Sequence, residues 1–357
     1  MKRLMWATTA LVATTAVAQA GGVERSTQSV AILFEQGRYA ELSFGHFDPT
    51  VEGAVGGGAI GSGDMAGSYN SWSLGYKMDI GERVALAMIL DQPIGANVNY
   101  PGAPALGAYP LAGSTATLSS SAITALLRYK FENNVSVYGG LRYETVHGEV
   151  SLPFLGYTLD TNHDSELGYV VGVAWEKPEI AARVALTYNS AITHDLESVE
   201  AGTVTPGFET EVPQSLNLEF QTGIAKDTLL FGSIRWVDWT AFVIDPPGYP
   251  APLGNLVDYA SDRVTYNIGI GRRFNENWSG AVTLGYEKSD GATTGNLGPT
   301  DGMKSIGLAA TYTMDSMKIT GGIRYVDLGD ATTNPPVGGV FTGNSGIGVG
   351  IKVGYTF

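Results

Sequence analysis

From Gly346 onward the chain alternates without a break, with Ile347, Val349, Ile351, Val353, Tyr355 and Phe357 on one parity and Gly346, Gly348, Gly350, Lys352, Gly354 and Thr356 on the other. A period of two belongs to a β-strand whose faces meet different surroundings. The same zigzag sets Trp278, Val282, Leu284 and Tyr286 against Ser279, Ala281, Thr283 and Gly285, and Leu216, Leu218 and Phe220 against Asn217, Glu219 and Gln221. Fourteen segments follow it, near 38–47, 69–79, 83–92, 114–131, 134–150, 158–176, 180–191, 213–225, 228–239, 262–274, 277–288, 303–313, 316–326 and 346–357.

Within these segments Glu41, Lys77, Arg128, Lys130, Arg142, Glu144, Glu166, Arg183, Glu219, Arg235, Lys318, Arg324 and Lys352 all lie opposite the aliphatic and aromatic parity. Alternation alone does not say which face meets water, because a soluble sandwich also separates two such sets. Connection lengths decide it. Tight turns at 79–83, 131–134, 176–180, 225–228, 274–277 and 314–316 alternate with longer links near 48–68, 93–113, 151–157, 192–212, 240–261, 289–302 and 327–345. Short turns at one end and long loops at the other are the rhythm of an outer-membrane barrel, which a Greek-key sandwich would not keep. Trp72, Tyr129, Tyr143, Trp175, Trp278, Tyr286 and Tyr355 sit on the apolar parity near strand ends, as two interfacial girdles require. Lipid offers backbone groups no hydrogen-bond partner, so the first strand must pair with the last. The predicted fold is all-β, a transmembrane antiparallel up-and-down β-barrel of about 14 strands over 38–357.

Composition narrows the function. The 357 residues include 48 glycines and no cysteine, with 44% hydrophobic and 16% charged residues, which excludes disorder, collagen, coiled coil and a disulfide scaffold. A net charge of -14 makes a nucleic-acid partner improbable. Lys2 and Arg3, an uncharged stretch to Ala18, and Ala18-Gln19-Ala20 as a small-x-small site read as a signal peptide over 1–20. Its removal leaves 19 basic against 35 acidic residues, a net charge of -16. Later apolar runs reach only about seven residues, far short of a membrane helix.

No enzyme is expected. His163-Asp164-Ser165 brings triad residue types together, yet adjacent strand positions point to opposite faces. HExxH, CxxC and calcium-loop spacings do not occur, and neither glycine-rich stretch precedes a phosphate-binding helix, so neither metal nor cofactor is predicted. The loops are unusually apolar. Pro93, Ile94 and Tyr100 in one, and Leu152, Phe154 and Leu155 in another, suggest a greasy capture surface, or loops packed on one another as a lid. Residues 21–37, with Ile32, Leu33 and Phe34, read as a short internal plug, the alternatives being a periplasmic tail or an extension of the first strand. Arg142, Arg183, Arg235 and Lys318 face inward and are candidates for holding a carboxylate head group, or members of a structural ion-pair network.

Several segments, in order, resemble the FadL/TodX family of outer-membrane transporters. Asp91-Gln92-Pro93-Ile94-Gly95 followed by Tyr100 resembles the motif that ends its third strand, and Val212-Pro213-Gln214-Ser215-Leu216 its entry into strand eight. Trp236-Val237-Asp238-Trp239-Thr240-Ala241-Phe242 and Tyr325-Val326-Asp327-Leu328-Gly329-Asp330 resemble two later segments. The family's long hatch with its Asn-Pro-Ala motif has no counterpart between Gly21 and Tyr39. The resemblance implies passive uptake of hydrophobic molecules, foremost long-chain fatty acids, across a Gram-negative outer membrane, with release through a gap in the wall near strand three. The implied partners are such a small molecule, outer-membrane lipid and lipopolysaccharide, and the barrel-assembly machinery through Phe357. The alternatives are aromatic-hydrocarbon transport, a general diffusion porin and a surface adhesin.

Overall fold

In a computed structural model, which describes residues 22–357, fourteen antiparallel strands form one barrel. They are β1 (Tyr39–Thr50), β2 (Tyr69–Ile80), β3 (Val84–Asp91), β4 (Thr115–Lys130), β5 (Val135–Leu152), β6 (Asp164–Lys177) and β7 (Ala182–Asn189). Then follow β8 (Ser215–Ala225), β9 (Thr228–Val237), β10 (Arg263–Arg273), β11 (Trp278–Glu287), β12 (Met303–Met314), β13 (Met317–Leu328) and β14 (Asn344–Thr356). β1 pairs with β14 from Tyr39 opposite Thr356 to Thr50 opposite Ser345, which closes the ring. The predicted leader, 1–20, lies outside the described residues.

Asn134, Asp227 and Asp315 take left-handed backbone conformations (φ 63°, 58° and 47°) in the short turns, which Asn and Asp tolerate better than other side-chain-bearing residues. Their strands present Leu141, Leu167, Ile268, Leu284, Leu308 and Ile351 outward. Tyr143, Tyr169, Tyr266, Tyr286 and Tyr325 are exposed towards the long loops, and Trp175, Phe274, Trp278 and Tyr355 towards the short turns. A continuous apolar band between two aromatic rings far exceeds what water-soluble proteins expose, so lipid is its solvent. The lumen takes the polar set, with Lys77, Arg128, Arg142, Glu144, Arg183 and Arg235 buried.

Glycines in the wall let inward aromatic rings lie flat against a neighbouring strand. A Cβ at Gly172 would stand 2.3 Å from the Tyr138 ring, and one at Gly346 2.3 Å from Phe47. Gly172→Val should therefore push Tyr138 off its hydrogen bond with Thr187 (2.7 Å) and cost about 1–3 kcal/mol. A lower temperature for loss of the compact, heat-modifiable band in detergent gels is the expected readout.

Above the membrane the wall continues in polar pieces. Tyr157–Thr161 extends beside β5, and Ile192–Glu200 pairs with Thr203–Val212 as a hairpin where the sequence suggested only a loop. The predicted segment 158–176 is thus split at Asn162-His163. Gly53–Val55, Ile60–Gly61, Ala331–Thr332 and Val340–Phe341 make a small sheet over the mouth, and Phe47, Met65, Tyr100, Tyr109 and Phe341 pack beneath it.

Candidate ligand pathway

The pathway begins with an irregularity in the third strand. β3 pairs with β4 as far as Asp91 opposite Ala122, and pairing resumes at Gly95 opposite Ser119, so three residues of one strand face two of the other. Pro93 has no N–H to give to a ladder, and the break falls there. Ser120 substitutes for the lost pairing, receiving the Ile94 N–H (2.9 Å) and donating its hydroxyl to the Ile94 carbonyl (2.7 Å). On its other side β3 stays with β2 only up to Leu90 opposite Leu74. The β2 backbone beyond that point is left without a strand partner on this side, and the Gln92 side chain accepts the Trp72 N–H (3.1 Å).

The displaced segment turns inward to meet the N-terminal residues. Arg25 and Ser26 donate their N–H groups to the Pro93 carbonyl, and Gly95 donates to the Val23 carbonyl (2.7 Å). From there residues 26–37 descend through the lumen. Ser26 donates to Asp91 (2.6 Å), Asn217 to the Thr27 carbonyl (2.9 Å), and Ser29 to Glu219 (2.6 Å). Arg235 forms a buried ion pair with Glu24 and also donates to Ser215 (3.0 Å) and Asn217 (2.8 Å). A single 3-10 turn, Ala31–Phe34, buries Ile32 and Leu33 against Ala87, Leu126, Val170 and Ala185. The Phe34 ring lies between the guanidinium groups of Arg128 and Arg183, 4.5 Å from each. Such a sandwich holds an aromatic ring in a polar lumen.

Two chambers flank this segment. The upper one, about 200 Å³, lies under the loops and is mostly apolar, with Phe47, Met65, Val146, Leu159, Phe242 and Leu256 in its wall. The lower one, about 220 Å³, is lined by Ser43, Asp91, Arg183, Glu219, Arg324 and Lys352. Glu24 and Arg25 border both, so the chambers meet at the start of the N-terminal segment. The lower chamber also touches Phe44, Trp72 and Leu74, whose side chains are exposed on the outer wall. Its lining thus includes β2 residues at the level where β2 and β3 part.

Charge is distributed unevenly along this route. Arg25 stacks on the Tyr69 ring (3.1 Å to the centroid) and donates its Nε to the Gly95 carbonyl (2.8 Å). Burial pulls its guanidinium down to about 10, against the opposing pull of Tyr69. Arg324 donates to Ser305 (2.6 Å) and Asn267 (3.2 Å), leaving its Nε without a partner. Among the described residues, neither these two arginines nor Arg183 forms an ion pair with a carboxylate, whereas Arg235 is taken by Glu24 and Lys352 lies 3.6 Å from Glu41.

The residues singled out from sequence are not all in equivalent places. Phe154 and Leu155 are exposed at the tip above β5. Tyr100 and Leu152 are not on an open surface: Tyr100 stacks on Tyr109 with centroids 5.4 Å apart, and Leu152 packs with Tyr157, Leu159 and Leu256. Ile94 is buried beside Val146 and Trp239, and Pro93 forms the strand break. Apolar side chains in long loops bury against each other, which favours the packed-lid alternative for this group. Of the four inward cations, Arg183 borders the lower chamber, Arg142 is buried on Thr124 (3.0 Å), Arg235 is paired, and Lys318 sits 3.7 Å from Glu35. Arg25 and Arg324 were not singled out, because no periodicity marks which inward arginine lacks a partner. The triad residue types do not converge: His163 stacks on His147, Asp164 contacts His194, and Ser165 contacts Thr145.

No protein-family model matches the chain, and no curated protein matches it. Solved structures do. A FadL homologue from Pseudomonas aeruginosa superposes with a TM-score of 0.72 over 92% of both chains at 13% identity. The toluene transporter TodX of Pseudomonas putida gives 0.65 over 95% of this chain and 96% of its own at 12% identity. The Ralstonia pickettii toluene transporter TbuX gives 0.62 over 96% and 97% at 13% identity. The chain has the FadL/TodX fold. At these identities the likeness is one of fold. Ahead of β1 the described residues begin at Gly22 and run through the lumen to Arg38.

Proposed function

We propose that the chain is a passive outer-membrane channel for hydrophobic molecules, with long-chain fatty acids as its foremost substrate. The observation that carries the reading is the pair of chambers that meet at Arg25, the lower of them bordered by β2 residues beside the break between β2 and β3. A lipophile enters past Phe154 and Leu155, crosses the lid built on Tyr100, Leu152 and Ile94, and rests in the apolar upper chamber. It then passes Arg25 and leaves sideways into the membrane beside Trp72. Ile32, Leu33 and Phe34 act as a fixed plug that closes the straight route to the periplasm. The apolar band supports outer-membrane lipid and lipopolysaccharide as partners of the barrel, and Phe357 is its proposed contact for the assembly machinery.

A carboxylate head group suits Arg183 and Arg324, since neither has a carboxylate within ion-pair distance among the described residues and charge-assisted hydrogen bonds to an arginine are strong. Replacing both with glutamine should weaken binding of a fluorescent fatty acid by about 10–100-fold and leave toluene uptake unchanged. Equal fatty-acid binding by the variant would remove the head-group assignment. Aromatic hydrocarbons are the second reading, favoured by the upper chamber itself, because an apolar cavity on the order of 150 Å³ already accommodates benzene. Liposomes that carry the protein and swell in sugar solutions would instead indicate a general diffusion porin.

A further inference from the structure

On the outer wall above the Tyr143 and Tyr169 ring, the polar extension of β5 and the returning Tyr157–Thr161 strand bring His147, Glu149 and Asp160 together. One ligand atom from each lies within 4.8 Å of the others. Glu149 and Asp160 are direct cross-strand partners, an arrangement in which two like charges destabilise a strand pair. The imidazole of His147 is placed in a way that a neutral ring cannot satisfy. Its Nδ1 is 2.9 Å from the Thr161 carbonyl and its Nε2 is 3.2 Å from the Glu149 carboxylate, so both nitrogens face acceptors. A neutral imidazole has only one N–H. With that N–H on the carbonyl, the Nε2 lone pair points toward the Glu149 carboxylate, the arrangement in which a shared metal ion would be ligated by both. A second imidazole, His163, is stacked face to face on it at 4.2 Å with an interplanar angle of 6°, which fixes the plane of the His147 ring.

We infer that His147 Nε2, Glu149 and Asp160 form a divalent transition-metal site that clamps the two arms of the hairpin carrying Phe154 and Leu155. An imidazole held by a backbone carbonyl through its other nitrogen is the usual arrangement of a metal-ligating histidine. The mixed nitrogen and oxygen set suits zinc better than calcium. Three protein ligands leave the remaining position open to the outside. The site lies apart from the ligand pathway, on the opposite face of the wall.

The test is calorimetric titration of the tag-free, detergent-solubilised protein with Zn²⁺ at neutral pH. One saturable equivalent is expected, weakened by at least about 100-fold in His147→Ala and in Asp160→Asn, and changed by less than about 3-fold in His163→Ala, whose ring stacks without ligating. Hydrogen exchange over residues 145–161 should slow on adding zinc to the parent and not to His147→Ala. Binding without a single saturable site, binding that survives His147→Ala, or equal competition by Ca²⁺ would each overturn the assignment. Because these residues line neither chamber, a negative result here leaves the transport reading untouched, and loss of transport leaves the site untouched.

Discussion

Glu24→Ala is expected to release the N-terminal segment from the barrel lumen. Burial pushes the Glu24 carboxyl up, and Arg235 opposes that shift by its charge and hydrogen bond. Removing one side of such a pair leaves a buried, uncompensated charge and typically costs about 3–5 kcal/mol. The global barrel does not have to absorb that loss. The lower part of the segment is held separately, by Ile32 and Leu33 in the lumen core and by Lys77 on the Glu35 and Gly37 carbonyls, so release starts at the upper end, where detachment rehydrates Arg235. The expected result is a barrel of unchanged strand content with faster proteolysis of the upper part of residues 22–37 and raised ion conductance, since about 3–5 kcal/mol lowers the docked-to-released ratio of that part by at least about 100-fold. The double variant Glu24→Ala, Arg235→Ala should recover much of the docking, because neither charge is then stranded. An N-terminal segment as protected in the single variant as in the parent would show that the pair does not hold it.

Deleting Pro93 is expected to abolish lateral release. Three residues, Gln92, Pro93 and Ile94, stand opposite two on β4, and removing one restores equal counts. β3 could then run without a break from Val84 to Asn99, and its other edge would meet the unpaired stretch of β2 at Tyr69–Ser73. Each ladder hydrogen bond gained contributes about 0.5–1.5 kcal/mol, so closure should stabilise the barrel while it seals the wall. Fatty-acid uptake by cells should fall by at least about 10-fold, roughly 1.4 kcal/mol on the permeation barrier, with the thermal transition unchanged or raised. Uptake at the parental rate in a correctly inserted variant would mean that substrates leave by another exit.

How much of this was legible follows from what surrounds each strand. Inside the bilayer Ile347, Val349 and Ile351 face lipid while Lys352 turns inward, and the contrast is strong enough to place all fourteen strands. Above the bilayer the sense reverses. In Ile192–Glu200, Ile192 and Leu196 face inward while Asp195 and Glu197 face water, so a reading tuned to lipid passed over a segment that also alternates. The break at Pro93 was readable as a motif, but its consequence depended on which β2 groups lost their partners. Among the inward cations, sequence gave parity and nothing more: Arg183 and Arg235 look alike there, and only the fold shows Arg235 held by Glu24 from a segment 211 residues away. The same limit hid the His147, Glu149 and Asp160 cluster, whose members sit on two strands and match no linear spacing.

The claim on which the rest depends is that a lipophile leaves sideways between β2 and β3. It can be tested by photolabelling the protein in proteoliposomes with a diazirine-bearing fatty acid and mapping the adducts by mass spectrometry. The account predicts adducts at Phe242 and Leu256 in the upper chamber and at Phe44 and Trp72 on the rim of the opening, the rim exceeding Trp278 on the far wall and losing that excess when Pro93 is deleted. Adducts concentrated at Phe34 and Pro178 by the periplasmic mouth, with Trp72 labelled no more than Trp278, would contradict it.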